Sequence, residues 1–268
     1  MSGPPTETVF TLSPSKAETF ASCRRRYDFK YRQRLPDPQD YERHPAALIG
    51  TAVHRAMHTL GDTGRRDRME ETYTSYLSTP EHEVAGPGTL YHARGLELLS
   101  TGYQAHQELL AMAPIHHYEH SAEAQSGPFR FWTKMDRVAI DATGNVTVVD
   151  WKTGGAGFWG PSDDLQAMAL HVTARASFNV HAETPVRVML WNLRSGDRDE
   201  RLETREHAIA AVRNLRAEAR RMMQTKEFGP SPGPLCRWCP FLDRCPEGQA
   251  ATRPRDRNAE HDWLEVED

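Results

Sequence analysis

Phe129-Arg130-Phe131-Trp132-Thr133-Lys134-Met135-Asp136-Arg137-Val138-Ala139-Ile140 is followed, after a short turn, by Asn145-Val146-Thr147-Val148-Val149-Asp150-Trp151-Lys152-Thr153-Gly154. Ser126-Gly127-Pro128 and Thr143-Gly144-Asn145 punctuate these runs, which read as strands over 129–140 and 145–152, with a further strand over 115–124 before them. Asp136 and Asp150 fall on consecutive strands. Asp150 and Lys152 are two apart and share a strand face. Two carboxylates can hold a hard divalent ion through oxygen. A lysine beside them can orient or deprotonate a metal-bound water, or stabilise negative charge on phosphate. The chain has 33 basic residues but only five lysines, Lys16, Lys30, Lys134, Lys152 and Lys226. A lysine at position 152 therefore stands out, because a compact ammonium does work that a planar guanidinium cannot.

Outward from the hairpin, helices are expected on both sides. Ser13-Pro14 reads as an N-cap followed by proline, opening a helix with Ala17, Phe20, Tyr27 and Tyr31 on one face that ends at Pro36-Asp37-Pro38. A second helix starts near Pro45 and buries Ile49, Val53, Met57 and Leu60. It carries His54 one turn after Gly50, with His58 a turn further on. Helices are also expected over 67–79 and 88–112, then, after the hairpin, over 163–178 and 206–226, with a strand over 185–193. Gln166 lies on the first of these two later helices. The arginines near Cys23 and along 206–226 are candidate phosphate contacts. Helices, a strand meander, then helix–strand–helix describe a mixed α/β domain with a helical N-terminal layer.

With 268 residues and 26% charged side chains, the chain can bury a large core without disulfide staples. A net charge of −4 excludes a nucleic-acid binder that is basic all over, but not a local basic surface. No apolar run approaches the roughly 20 residues of a membrane-spanning helix. Met1-Ser2-Gly3-Pro4-Pro5-Thr6-Glu7 has neither the basic nor the apolar region of a secretory signal, so a cytoplasmic protein with no membrane partner is expected. No G-x-x-x-x-G-K-[ST] motif is present, so the sequence shows no P-loop motor.

Four cysteines complete the inventory: Cys23, then Cys236, Cys239 and Cys245 in a C-x2-C-x5-C segment behind the hinge Gly229-Pro230-Ser231-Pro232-Gly233-Pro234. A disulfide framework does not suit a large cytoplasmic chain. Four thiolates satisfy either tetrahedral zinc or a cubane iron–sulfur cluster. In either case, recruiting Cys23 would clasp the two ends of the chain together.

In this order the motifs resemble the RecB-like branch of the PD-(D/E)XK nucleases, specifically its iron–sulfur members, which include the nuclease domain of AddB-type recombination proteins and the exonucleases associated with CRISPR adaptation. Leu12 to Cys23 resembles the family's opening helix and first cluster cysteine, and Gly50 to His54 its histidine motif. Asp136 matches the first metal carboxylate, Asp150 and Lys152 the acidic-x-lysine motif, Gln166 the following glutamine, and Cys236, Cys239 and Cys245 the closing cluster ligands. The pattern departs at Thr133, where the family has a common glycine, and at Leu170, where a tyrosine is frequent. A glutamate on the preceding strand is also expected, with Glu119 and Glu123 both fitting.

The resemblance implies a restriction-endonuclease-like mixed central sheet flanked by helices. It implies one nuclease domain over 11–247: a helical part to 112, the nuclease core over 113–228 and the cysteine clasp over 229–247, with a flexible tail over 248–268. It implies a DNA nuclease, an exonuclease acting on ends or single strands in recombination, repair or phage DNA processing, alone or with a helicase or recombination protein. His54, Asp136, Asp150 and the Trp151 carbonyl would hold Mg2+ or Mn2+, Lys152 would assist the attacking water, and Gln166 would position Lys152 or a phosphate. Cys23, Cys236, Cys239 and Cys245 would hold a [4Fe-4S] cluster, with zinc as the other candidate. The competing function is a DNA-binding or assembly subunit that keeps the fold without the activity, which would most naturally have lost Asp150 or Lys152.

Overall fold

The structure, a computed structural model, describes residues 9–38, 44–155 and 161–252, with the side chains of 161–163 left aside. The expected tail falls largely outside the described residues, because only 248–252 of it, the end of α8 (Pro246–Ala251) and Thr252, lie within them.

The expected hairpin forms. β2 (Ile115–Ser126) and β3 (Phe129–Ile140) run antiparallel around Gly127, whose φ of +59° suits the first central residue of a tight hairpin turn. β3 then pairs antiparallel with β4 (Val146–Lys152). Asp141 holds the intervening turn by accepting from the backbone N–H groups of Thr143 and Asn145 at 2.8 and 3.0 Å. After α6 (Pro161–Ser177) comes β5 (Val186–Asn192), parallel to β4, and then β6 (Arg198–Glu203), antiparallel to β5. β1 (Phe10–Leu12) joins the free edge of β3 in parallel at Phe129–Phe131. The result is a mixed six-stranded sheet.

Both faces of the centre of this sheet are covered, so β4 and β5 are near-continuous apolar runs rather than alternating ones. On one face α3 (Pro45–Thr63), α4 (Arg66–Leu77) and α5 (Leu90–Met112) pack against Val149, Trp151, Met189 and Trp191. The expected stripe of Ile49, Val53, Met57 and Leu60 is buried there. On the other face α6 covers Val138, Val148 and Val188. Beside it, α1 (Pro14–Ser22) and α7 (Arg205–Gln224) enclose Phe129 and Phe131. Arg216 and Arg220 of α7 lie over the Phe129 ring at 6.0 and 5.7 Å, so part of that arginine-rich helix serves packing.

One expectation needs correction, and two strands, β1 and β6, were not foreseen. The N-terminal helix is not continuous: α1 stops at Ser22, Cys23 is extended with φ −157° and ψ 110°, and α2 (Arg24–Tyr27) starts afresh before a π-helical turn over Asp28–Arg32. β6 has no apolar alternation, since an edge strand reading Arg-Asp-Glu-Arg-Leu-Glu carries little hydrophobic signal. The three residues of β1 are too few to show a period.

The expected departures at Thr133 and Leu170 are packing features. Thr133 shares a 2.6 Å hydroxyl–hydroxyl hydrogen bond with Thr173 of α6, and Leu170 is buried in the same layer. Among the described residues no helix is long and apolar enough to cross a membrane.

Candidate active site and cysteine cavity

The site sits where the alternation of β3 changes phase. Phe129, Phe131, Thr133 and Met135 point to the α6 and α7 side. Past Asp136 the phase reverses: Val138 now faces α6, and Arg137 reaches α5, donating to His106 Nδ1 at 2.9 Å. β2 kinks opposite. Glu119 has a φ of +50°, a left-handed conformation that costs a non-glycine residue of order 1–3 kcal/mol. The ladder keeps its register on both sides, with Tyr118 opposite Arg137 and His120 opposite Met135. The paired kink turns Glu119 and Asp136 together toward α3.

There they meet His54. Ligand atoms of His54, Glu119 and Asp136 lie within 4.8 Å of one another, the only such trio among the described residues. His54 Nδ1 is 3.0 Å from Asp136 Oδ1, and Asp136 Oδ2 accepts the backbone N–H of Trp151 at 2.8 Å. Gly50 allows this approach: a Cβ there would stand 3.2 Å from the Thr153 hydroxyl, at the end of β4. Burial works against a charge on His54, but the Asp136 carboxylate outweighs it and lifts the imidazole to about 9, so a divalent ion bound there would have to displace that proton before the ring could ligate it.

Asp150 and Lys152 do share a face, with Lys152 Nζ 3.2 Å from Asp150 Oδ2. Gln166 of α6 closes a triangle with them. Its amide N–H donates to Asp150 Oδ1 at 2.5 Å, and its carbonyl accepts from Lys152 at 2.9 Å. Burial pushes the Asp150 carboxyl up to about 6, Asp136 adds to that, and Lys152 and His54 pull it back. Asp150 is thus electrostatically coupled to the trio without belonging to it. The Trp151 indole lies in the α3–α5 core, its ring 6.0 Å from that of Trp191.

The choice between Glu119 and Glu123 is resolved by position. Glu119 joins the trio and pairs with Lys134, while the exposed Glu123 faces Arg130 at 3.8 Å. Sequence reasoning missed the distinction because it assumed unbroken alternation. The signal was present: apolar residues fall on odd positions at Phe129, Phe131 and Met135, then on even ones at Val138 and Ile140. His58 turns away to Asp62, and the His116/His117/His120 group is structural. His116 accepts from Arg137 at 3.1 Å, while His117 and His120 pack on Phe178.

The four thiols line one cavity with Arg25, Arg26, Phe29 and Phe241. Cys23 faces it from the α1–α2 break, Cys236 and Cys239 from a 3-10 turn, and Cys245 from the N-terminus of α8. The chain ends are packed together around it. Arg25 donates its backbone N–H to Gly229 at 3.2 Å and pairs with Glu247 at 3.5 Å, and Phe29 meets Phe241 edge-on at 5.5 Å. Burial pushes the Cys239 thiol up, while nearby Arg26 draws it down.

The sequence profile of the PD-(D/E)XK nuclease superfamily matches residues 11–246. This chain belongs to that superfamily. Among solved structures it is similar to a candidate exonuclease from Eubacterium rectale, with a TM-score of 0.53 and 12% identity over 100% of both chains. The protein SSO0001 aligns at a TM-score of 0.40 and 13% identity, over 92% of this chain and 88% of that one. At such identities the likeness concerns the fold. No curated protein matches the sequence.

Proposed function

We propose that this superfamily member is a metal-dependent deoxyribonuclease that hydrolyses phosphodiester bonds from ends or in single strands. The observation that carries this reading is the meeting of two groups at one kink: the His54/Glu119/Asp136 trio and the Asp150–Gln166–Lys152 triangle. A trio rich in carboxylate oxygen suits Mg2+ or Mn2+, and such an ion would supply Lewis acidity and a more acidic water. His54, Glu119 and Asp136 would hold it, with Asp150 and the Trp151 carbonyl completing the set. Gln166 fixes both partners of the triangle, holding the Lys152 ammonium in place to orient the attacking water and to offset charge developing on the phosphate. Burial of Asp150 keeps the site's charges in a poorly screened environment, where that ammonium is most effective.

The cysteine cavity fits a [4Fe-4S] cluster on its donor set. Four thiols line it, the number that either a cubane cluster or a tetrahedral zinc takes, and the resemblance to iron–sulfur members favours the cluster. Cys23, Cys236, Cys239 and Cys245 would hold the cluster, which would reinforce a joint already made by packing.

The substrate class is tested by offering linear duplex, linear single-stranded and closed circular DNA with Mg2+ or Mn2+. Loss of the linear forms with the circle spared is expected. Equal cutting of the circle would overturn the end preference, and no cutting of any form would overturn the nuclease reading.

A further inference from the structure

We propose that the exposed face of β3 is a track for a single nucleic-acid strand, with Trp132 as the platform on which an unpaired base stacks beside the metal-ligand trio. The proposal rests on the nuclease reading and adds a substrate-binding residue to it.

The argument starts from the strand's period. In β3, buried Phe129, Phe131, Thr133 and Met135 alternate with exposed Arg130, Trp132 and Lys134, and the next residue on that open face is Asp136. Two-residue steps along a strand are about 6.8 Å. Cation, aromatic ring, cation and metal-site carboxylate therefore stand in a row at nearly even spacing. Lys134 borders the trio directly through its ion pair with Glu119, so the row is continuous with the site.

Trp132 is the anomaly. The residue is 37% exposed, and no side-chain hydrogen bond or ring contact is found for it among the described residues. A large indole on an open strand face gains little for folding there. A base has an apolar face of matching size, and stacking tolerates any sequence. A duplex keeps its bases stacked on one another, so only an unpaired nucleotide can use the ring. The flanking cations fit the phosphates on either side of it. Both cations already have partners: Lys134 pairs with Glu119, and Arg130 pairs with Glu123 at 3.8 Å and donates to the Thr11 hydroxyl at 3.0 Å. The Arg130–Glu123 pair is exposed on both sides, where a salt bridge is worth little and phosphate can compete, and the Lys134 ammonium is itself about half exposed.

The test measures binding by anisotropy of a labelled 20-nucleotide oligo(dT) and of a blunt 20-base-pair duplex, in EDTA so that no divalent ion is available for turnover. Cleavage with Mn2+ is then measured on the same samples. Trp132→Ala and the bulk-conserving Trp132→Leu should each weaken oligo(dT) binding about 5- to 150-fold, the loss of one stacked base. Trp132→Tyr should keep most of it, and duplex binding should change less than twofold in all three. Unchanged oligo(dT) binding by Trp132→Leu, an equal loss on both DNAs, or no oligo(dT) binding by the parent would overturn the track. A parent that cleaves while Trp132→Leu binds normally refutes this inference alone. A parent that binds through Trp132 but cleaves nothing refutes the nuclease reading instead.

Discussion

Gln166 offers the sharpest perturbation, because one side-chain amide holds two charged groups at once. It donates to the nearly buried Asp150 at 2.5 Å and accepts from Lys152 at 2.9 Å. Hydrogen bonds to charged groups are worth about 1.5–3 kcal/mol each. Gln166→Leu removes both and keeps the volume. If about 3–4 kcal/mol of that loss falls on the transition state, cleavage slows by roughly 150- to 1000-fold. Gln166→Glu separates the two contacts. It preserves an acceptor for Lys152 but sets a second carboxylate against Asp150, so the two must share a proton. Asp150 is already lifted to about 6, and the added carboxylate lifts it further. The acid limb of the pH–rate profile should therefore move to higher pH in Gln166→Glu. The assay is steady-state cleavage of a linear substrate at saturating Mn2+ across pH 5.5–9, with circular dichroism confirming the fold. Cleavage by Gln166→Leu within threefold of the parent would refute the reasoning.

Glu119→Gln should weaken Mn2+ binding by at least about tenfold, as loss of a ligand charge implies, while Glu123→Gln leaves it unchanged; calorimetric titration that finds the two equal would return Glu119 to a structural role. Stability should fall in acid because burial holds His106 and His171 neutral, at about 4 and about 3, so the unfolded chain takes up protons first as pH drops below 6.5. Between pH 6.5 and 4.5 the two together lose about 4–5 kcal/mol. Asp150, raised to about 6, works the other way and returns about 2. The net, about 2–3 kcal/mol, should lower the calorimetric Tm by about 5 °C, and an unchanged Tm would show that these imidazoles are not buried neutral. Anaerobically purified protein should be brown, with about four irons per chain. Cys23→Ser should lose that colour as fully as Cys239→Ser, whereas colourless protein holding one zinc would overturn the cluster and keep the clasp.

The parts of this fold that follow from short-range pattern were legible in the sequence. The hairpin turns, the buried stripe of α3 and the strand that carries Asp150 and Lys152 each have a period or a punctuating residue behind them. Asp136 stood out on a strand next to that of Asp150, whereas His54 and Gln166 were singled out chiefly by the resemblance to the family's motifs. Glu119 was reached only as one of a pair with Glu123, because its place depends on two strands kinking together, and a tertiary distortion leaves only a faint phase shift in the apolar residues of β3. The break at Cys23 was hidden for a related reason. Ala17, Phe20 and Tyr27 fit one continuous helical face and are all buried, although the helix between them is interrupted. β6 was invisible because a polar edge strand is specified by its partner rather than by its own side chains.

The central claim is that the paired kink in β2 and β3 assembles a hydrolytic metal site served by Lys152. It is tested most directly by single-turnover cleavage of linear single-stranded DNA with Mn2+, comparing the parent with Lys152→Ala and Asp150→Ala. The parent should degrade the strand, and both variants should lose nearly all cleavage while keeping their fold and the absorbance of the cysteine site. Cleavage by either purified variant at the parent's rate would contradict the account.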